Sequence, residues 1–136
     1  DRASGMLKMR KVPSKEAKVV SKAIVEELSD WTPFIKTITA DNGKEFADHH
    51  YVTEQLGIDY YFARPYHSWE RGSNENLNGL IRQYFKKSSD FKTITKDQVK
   101  AVEEKLNRRP RKRFNFENPI FAMNEFLFNQ KVALVT

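Results

Sequence analysis

The stretch Ile35-Lys36-Thr37-Ile38-Thr39-Ala40-Asp41-Asn42-Gly43 decides the fold of this chain. The residues before Asp41 alternate between apolar and polar, as in a β-strand, and Asn42-Gly43 is a common turn pair. Asp41 therefore ends a predicted strand, and ligands of open α/β sheets bind at the carboxyl ends of strands. A carboxylate in this place is either part of an ordinary turn or a ligand for a divalent cation.

The residues on either side of this stretch predict alternating strands and helices. Further strands are predicted over Gly5–Val12 and Ile58–Ala63, and helices from Ser14 to Leu28, Glu45 to Gln55, Asn74 to Phe85, and onward from Thr95 and from Asn118-Pro119. Gly57 is a C-terminal helix glycine, and Thr95 forms a capping box with Gln98. This order predicts an α/β domain with a mostly parallel sheet portion.

Composition limits the chain to one domain of common size. It has 136 residues, 39% of them hydrophobic, and no Cys, which excludes disulfides and Cys-ligated zinc. No apolar run reaches the ~20 residues of a membrane span. The net charge is +6, but residues 1–63 hold 9 Lys and Arg against 10 Asp and Glu, and residues 64–136 hold 15 against 8. A basic second half is typical of a polyanion-binding surface and equally of a solvated face.

Glu75 is the second candidate ligand. It lies at the start of the predicted helix from Asn74, whose apolar side consists of Leu77, Leu80, Ile81 and Tyr84. Seven residues later, Arg82 falls on the same side as Glu75. Carboxylates from a strand end and a helix can together hold two cations roughly 3.5–4 Å apart, as phosphoryl transfer requires. Taken alone, Glu75 also fits the acidic residue favoured in a helix's first turn.

Several motifs in order resemble one family. They are Thr39-Ala40-Asp41-Asn42-Gly43, Ala63-Arg64-Pro65-Tyr66-His67, Ser73-Asn74-Glu75-Asn76 and Leu106-Asn107-Arg108-Arg109-Pro110-Arg111-Lys112. Together they resemble the catalytic core of DDE transposases, most of all the insertion sequence 30 type of bacterial transposase. The resemblance covers about residues 1–128. It implies an α/β fold of the ribonuclease-H-like integrase class, with extra C-terminal helices over residues 95–128.

The resemblance assigns roles to individual residues. Asp41 becomes the second catalytic carboxylate and Glu75 the third, together holding two Mg²⁺ or Mn²⁺ ions for DNA strand cleavage and transfer. Arg82 matches a basic position of the family and is expected to bind a DNA phosphate, with Asn74 and Asn78 assisting. The family implies DNA as partner (transposon ends and target), self-association, and a cytoplasmic, nucleoid-associated location without membrane contact.

The chain departs from the family before its first helix. Only one full strand, Gly5–Val12, is predicted there, and Asp1-Arg2 resembles the end of the strand before it. Residues 1–136 are therefore expected to form a single truncated core, lacking the first strand, most of the second and the first catalytic Asp. We expect no cleavage of DNA by this chain alone. The unpaired sheet edge that results favours self-association.

Aromatic and basic residues form two further candidate DNA contacts. The first group follows Ala63 and combines stacking rings with charge: Arg64, Tyr66, His67, Trp69 and Arg71. The second group is a basic run after the helix from Thr95, represented by Arg108, Arg109 and Arg111, and the isolated Lys44 and Lys86 are weaker candidates. Core packing and a solvated turn are the structural alternatives for the two groups.

Two other functions stay open beside the transposase core. One is a non-catalytic nucleic-acid-binding or interaction module that retains the fold, which a missing carboxylate would favour. The other is a different ribonuclease-H-like nuclease, such as one that cuts RNA–DNA hybrids. The Arg64-Pro65-Tyr66-His67-Ser68 segment and the late basic helices make this last reading the weaker one.

Overall fold

The computed structural model describes residues 1–67 and 72–135, with side chains as far as Asn129. The chain divides into two compact units. We call Arg10–Gly72 the sheet unit, and Asp1–Met9 together with Ser73–Thr136 the helical unit. Each unit is described by itself below.

The sheet unit contains a two-stranded parallel sheet. Strand β1 (Thr37–Ala40) pairs with β2 (Asp59–Phe62), with Thr37 opposite Asp59 and Ala40 opposite Phe62. Helix α1 (Ala17–Leu28) precedes β1, and α2 (His49–Leu56) connects the two strands. Parallel strands require such a crossover connection. The predicted α/β class and the parallel pairing are confirmed.

The core of the sheet unit lies between α1, α2 and the sheet. Val52, Leu56 and Ile58 are its buried members, and half-buried apolar side chains pack around them: Ile24, Val25, Leu28, Ile35, Ile38 and Tyr60. Gly57 ends α2 in the left-handed conformation at φ 65°, where a side chain would be strained. The predicted C-terminal glycine is confirmed.

Two predicted helix starts in the sheet unit are wrong. The helix predicted from Ser14 begins at Ala17, and its N-cap Glu16 makes no side-chain cap. The helix predicted from Glu45 is divided into a 3₁₀ turn, Lys44–Phe46, and α2. The division falls at Asp48, whose backbone is not helical and whose carboxylate accepts a 2.9 Å hydrogen bond from Ser21 Oγ of α1. A tertiary contact thus interrupts the local pattern.

The helical unit contains α3 (Gly72–Ile81), α4 (Lys96–Arg108) and α5 (Pro119–Val135). Thr95 and Gln98 form the predicted capping box of α4. Asn118 caps α5, since its Oδ1 accepts a hydrogen bond from the amide of Phe121. Leu7, Val102 and Leu106 form the buried core, with Met9, Leu77, Leu80, Ile81 and Phe85 packed against it.

The strand predicted over Gly5–Val12 is wrong, because residues 5–12 pair with no strand in the described part of the chain. Side chains of α4 satisfy their backbone instead. Asn107 Oδ1 accepts from the amide of Leu7 at 2.8 Å, and Asn107 Nδ2 donates to the Leu7 carbonyl at 2.9 Å. The amide of Met9 donates to Glu103 Oε2 at 2.5 Å. The side-chain amide of Asn107 thus makes the backbone hydrogen bonds that a neighbouring strand would otherwise make.

Three other element boundaries differ from prediction. Helix α3 ends at Ile81 instead of Phe85, and the turn that follows brings Phe85 to the core where Tyr84 was expected. Tyr84 is 41% exposed, with Lys105 Nζ 5.8 Å from its ring centre. Arg108, predicted to follow the helix from Thr95, is the last residue of α4, and α5 continues to Val135.

Candidate functional site

The carboxyl ends of β1 and β2 are tied together where Asp41 begins. The amide of Ala63 donates to the Ala40 carbonyl at 2.7 Å, extending the ladder by one bond past β2. Asn42 Nδ2 donates to the Ala63 carbonyl at 3.0 Å. Asp41 thus directly follows the carboxyl end of β1, as the sequence predicted. The two hydrogen bonds to Ala63 hold this strand end in place.

The turn after Asp41 holds its carboxylate in place. Asp41 Oδ1 accepts a 2.9 Å hydrogen bond from the amide of Gly43, which is the geometry of an Asx turn. A Cβ atom at Gly43 would lie 2.4 Å from Glu45 Oε2 and 2.9 Å from Asp41 Oδ1. A side chain at position 43 would therefore displace the ends of the Glu45 and Asp41 side chains.

Tyr60 of β2 lies beside Asp41 in an aromatic setting. Its ring centre is 5.4 Å from that of Phe62 and 5.7 Å from that of His49, and His49 packs edge-on against Phe62 at 4.9 Å. Burial, and secondly the charge of Asp41, raise the pKa of Tyr60 to about 12. The Tyr60 hydroxyl therefore stays protonated to a higher pH than that of an ordinary tyrosine. The sequence alone does not predict that Tyr60 lies beside Asp41.

Glu75 lies in the first turn of α3 and is exposed. Of its neighbours, Asn74 is half-buried and Asn78 is exposed. Arg82 follows the end of α3, and its amide still donates to the Asn78 carbonyl at 3.0 Å, so the helical geometry reaches it. The Arg82 guanidinium lies 5.6 Å from the ring centre of Phe91. The helix thus presents a carboxylate, two amides and an arginine.

Asp41 belongs to the sheet unit and Glu75 to the helical unit, so the structure describes each within its own unit. Within the described residues, no group of three or more His, Asp or Glu side chains is placed to hold a metal ion. The chemistry of the donors nevertheless fits Mg²⁺ or Mn²⁺, which take carboxylate oxygens as ligands.

The aromatic group after β2 is only partly described. Tyr66 is 99% exposed and adopts a positive φ of 61°, and Arg64 is exposed. His67 is half-buried, with Nδ1 2.8 Å from the Pro65 carbonyl oxygen. Trp69 and Arg71 lie outside the described residues. The exposure of Tyr66 excludes core packing as the alternative for that residue.

The remaining predicted cations differ in their surroundings. Lys44, Lys86 and Arg108 are exposed. Arg109 NH1 donates to Gln83 Oε1 at 2.9 Å, and Arg111 NH2 donates to the Leu106 carbonyl at 3.0 Å. Arg111 is half-buried, and its bond to Leu106 attaches its side chain to α4. The solvated-turn alternative therefore does not describe Arg111.

Comparison with known proteins places the chain in a class. A transposase for insertion sequence element IS4351 of Bacteroides fragilis is 48% identical over 136 residues, which are 100% of this chain and 42% of the relative. A transposase for IS1086 of Cupriavidus metallidurans is 37% identical over 97 residues, 71% of this chain and 29% of the relative. The chain is a homologue of transposases of insertion sequence elements.

Among these homologues are transposases of the insertion sequence 30 type. Transposase InsI for insertion sequence element IS30C of Escherichia coli (strain K12) is 38% identical over 120 residues, 88% of this chain and 31% of the relative. The sequence resemblance is confirmed at this level. The chain spans less than half the length of these curated relatives. No protein-family model matches it.

In the described residues, no helix is both long and apolar enough to cross a membrane.

Proposed function

We propose that the chain is part of the catalytic core of a DDE transposase with a ribonuclease-H-like fold, which cleaves and joins DNA strands. The observation that carries this proposal is the setting of Asp41, held by Gly43 at the fixed carboxyl end of a parallel strand. Similarity to insertion sequence transposases along the whole chain supports it. Ribonuclease-H-like nucleases of other kinds lack that support.

Asp41 and Glu75 are the residues we assign to metal binding. Bound Mg²⁺ or Mn²⁺ would lower the pKa of the attacking water or 3′-hydroxyl and stabilise the leaving oxygen. Asp41 is prepared for this role, because the Gly43 amide fixes the direction of Oδ1. Arg82, the residue directly after the helix that carries Glu75, would hold a phosphate of the DNA strand.

Residues 1–136 match two of the three carboxylates of the family's site. We therefore expect this chain alone to bind DNA and a divalent cation without cleaving DNA. DNA, and further copies of the protein, are the partners that the function requires. The non-catalytic binding module is the second candidate, and what favours it is the absence of a three-carboxylate group among the described residues.

An Mn²⁺ titration of ¹⁵N-labelled chain tests the assignment of the metal ligands. We expect amide signals near Asp41 and Glu75 to broaden first, and Asp41→Asn and Glu75→Gln to reduce the broadening. Asp59→Asn at the opposite end of β2 and Glu104→Gln on α4 are matched controls, since both side chains are exposed. Equal effects of controls and site variants would overturn the assignment.

Nuclease assays separate the two candidate functions. The purified chain, incubated with a labelled DNA hairpin in Mn²⁺, should leave the DNA intact. Cleavage that Asp41→Asn abolishes would show that these residues suffice. Binding of DNA without Mn²⁺ broadening at Asp41 or Glu75 would instead favour the non-catalytic module.

A further inference from the structure

A cleft of about 230 Å³ lies in the helical unit, at the first turn of α3, which also carries Glu75. Arg2, Arg111, Lys112 and Arg113 line it, and Asn74 and Asn76 of α3 add side-chain amides. The volume is below the roughly 300–1,000 Å³ of pockets for drug-sized ligands. The cleft therefore suits a small anionic group.

The guanidinium groups of this cleft are held by the protein. Arg113 NH2 donates to the Arg2 carbonyl at 3.0 Å, and its guanidinium lies 4.4 Å from the ring centre of Phe114. Arg111 NH2 donates to the Leu106 carbonyl. A cationic surface that is ordered in advance loses less conformational entropy on binding an anion than freely rotating side chains do.

The backbone that carries these cations is also fixed. The Arg111 amide donates to the Glu117 carbonyl at 2.9 Å, and the Arg111 carbonyl accepts from the amides of Phe114 and Phe116. Asn115 and Phe116 both have positive φ, at 53° and 67°. Asn tolerates this conformation, but in Phe116 it is strained and persists only where surrounding contacts impose it.

Three of the cationic residues of the cleft form no ion pair within the part of the chain that the structure describes. No carboxylate there forms an ion pair with Arg111, Lys112 or Arg113. The carboxylate of Asp1, which also lines the cleft, accepts from the amide and hydroxyl of Ser4. Arg111 Nε is buried and has no acceptor among the residues that the structure describes.

The surroundings of Arg111 also disfavour the positive charge of its guanidinium group. Burial, followed by the like charges of Arg109 and Arg113, lowers the pKa of Arg111. A bound anion would relieve this repulsion, and phosphate oxygens match the donor geometry of guanidinium groups.

We infer that the cleft binds one phosphodiester group of a DNA strand through Arg111, Lys112 and Arg113, with Asn74 and Asn76 as additional donors. This inference rests on the proposed function for its choice of DNA, and it adds a phosphate contact formed in part by the two residues that flank Glu75. The site would anchor the strand at the start of α3, the helix that carries Glu75.

The salt dependence of DNA binding tests this contact. We would measure Kd for a fluorescent duplex by anisotropy at several salt concentrations, for the unmodified chain, Lys112→Gln and Arg113→Gln. Each variant should lower the slope of log Kd against log salt by about one unit, as loss of one phosphate contact does. Lys96→Gln, an equal loss of charge on the exposed start of α4, should not change the slope.

Lys112→Gln is the safer variant for folding, because the Lys112 side chain is exposed and Arg113→Gln removes the bond to Arg2. DNA binding with unchanged slopes, or with the same loss in Lys96→Gln, would overturn the inference and leave the proposed function standing. Absence of DNA binding by any form would overturn both.

The Nε–Hε signal of Arg111 in ¹⁵N-edited spectra distinguishes the source of the phosphate. We expect it to shift when the duplex is added and to shift much less with inorganic phosphate at an equal concentration of phosphate groups. A larger shift with inorganic phosphate would identify a site for free phosphate and overturn the assignment to DNA.

Discussion

At the scale of single residues, Gly43 controls the carboxylate of Asp41. We predict that Gly43→Ala displaces the carboxylates of Glu45 and Asp41, since the new Cβ would lie 2.4 Å and 2.9 Å from their oxygens. The variant should lose Mn²⁺-induced broadening near Asp41 and shift the amide signal at position 43. Gly79→Ala is the control, because a Cβ there meets nothing within 4 Å. Unchanged Mn²⁺ broadening in Gly43→Ala would contradict the assigned role.

Tyr60 reports on Asp41 through its titration. Because its pKa is raised to about 12, the phenol stays neutral in the folded protein while an unfolded tyrosine ionises near pH 10. The stability it contributes is present below pH 10 and is lost as pH rises through about 12. Since Tyr60 is only half-buried, we expect an effect of about 1 kcal/mol.

Tyrosinate absorbance at 295 nm measures this titration directly. We predict that Tyr60→Phe removes its highest-pH component. Asp41→Asn should move that component to lower pH without abolishing the shift, since burial is the larger cause and the Asp41 charge the second. An unchanged titration in Asp41→Asn would show that the carboxylate does not act on Tyr60.

At the scale of elements, α4 holds an extended segment that would otherwise require a neighbouring strand. Asn107 is 4% exposed and satisfies both backbone groups of Leu7. We predict that Asn107→Ala costs about 2–5 kcal/mol, because two buried backbone groups lose their partners. Urea denaturation measures the cost. Asn124→Ala on the exposed part of α5 is the matched control and should change stability by less than about 1 kcal/mol.

The distance along the chain between interacting residues explains which sequence predictions succeeded. The capping box at Thr95, the cap at Asn118 and the glycine after α2 were predictable because each depends on a few neighbouring residues. The segment Gly5–Val12 was not, because its alternation resembles a strand and its hydrogen-bond partners lie 94 and 100 residues away. Local periodicity carries no information about such distant partners.

At the scale of the whole molecule, each unit contains its own apolar core. Leu106 is 0% exposed in the helical unit and Val52 is 1% exposed in the sheet unit. We predict that Leu106→Ala costs about 2–5 kcal/mol and lowers hydrogen-exchange protection first in α4 and α5. Val52→Ala should lower protection first in α2 and the sheet. An equal loss of protection throughout the chain in both variants would show a single cooperative core.

The sequence by itself determined the α/β class, the caps at Thr95 and Asn118, the position of Asp41 at a strand end and the relationship to insertion sequence transposases. These features depend on local patterns and on residue identity, which the chain displays directly. Only the tertiary structure decided that Asn107 replaces a strand, that Tyr60 lies beside Asp41, and that Arg111, Lys112 and Arg113 line one cleft with α3. Those features depend on contacts between residues far apart in the chain, where burial and unneutralised charge exist only after folding.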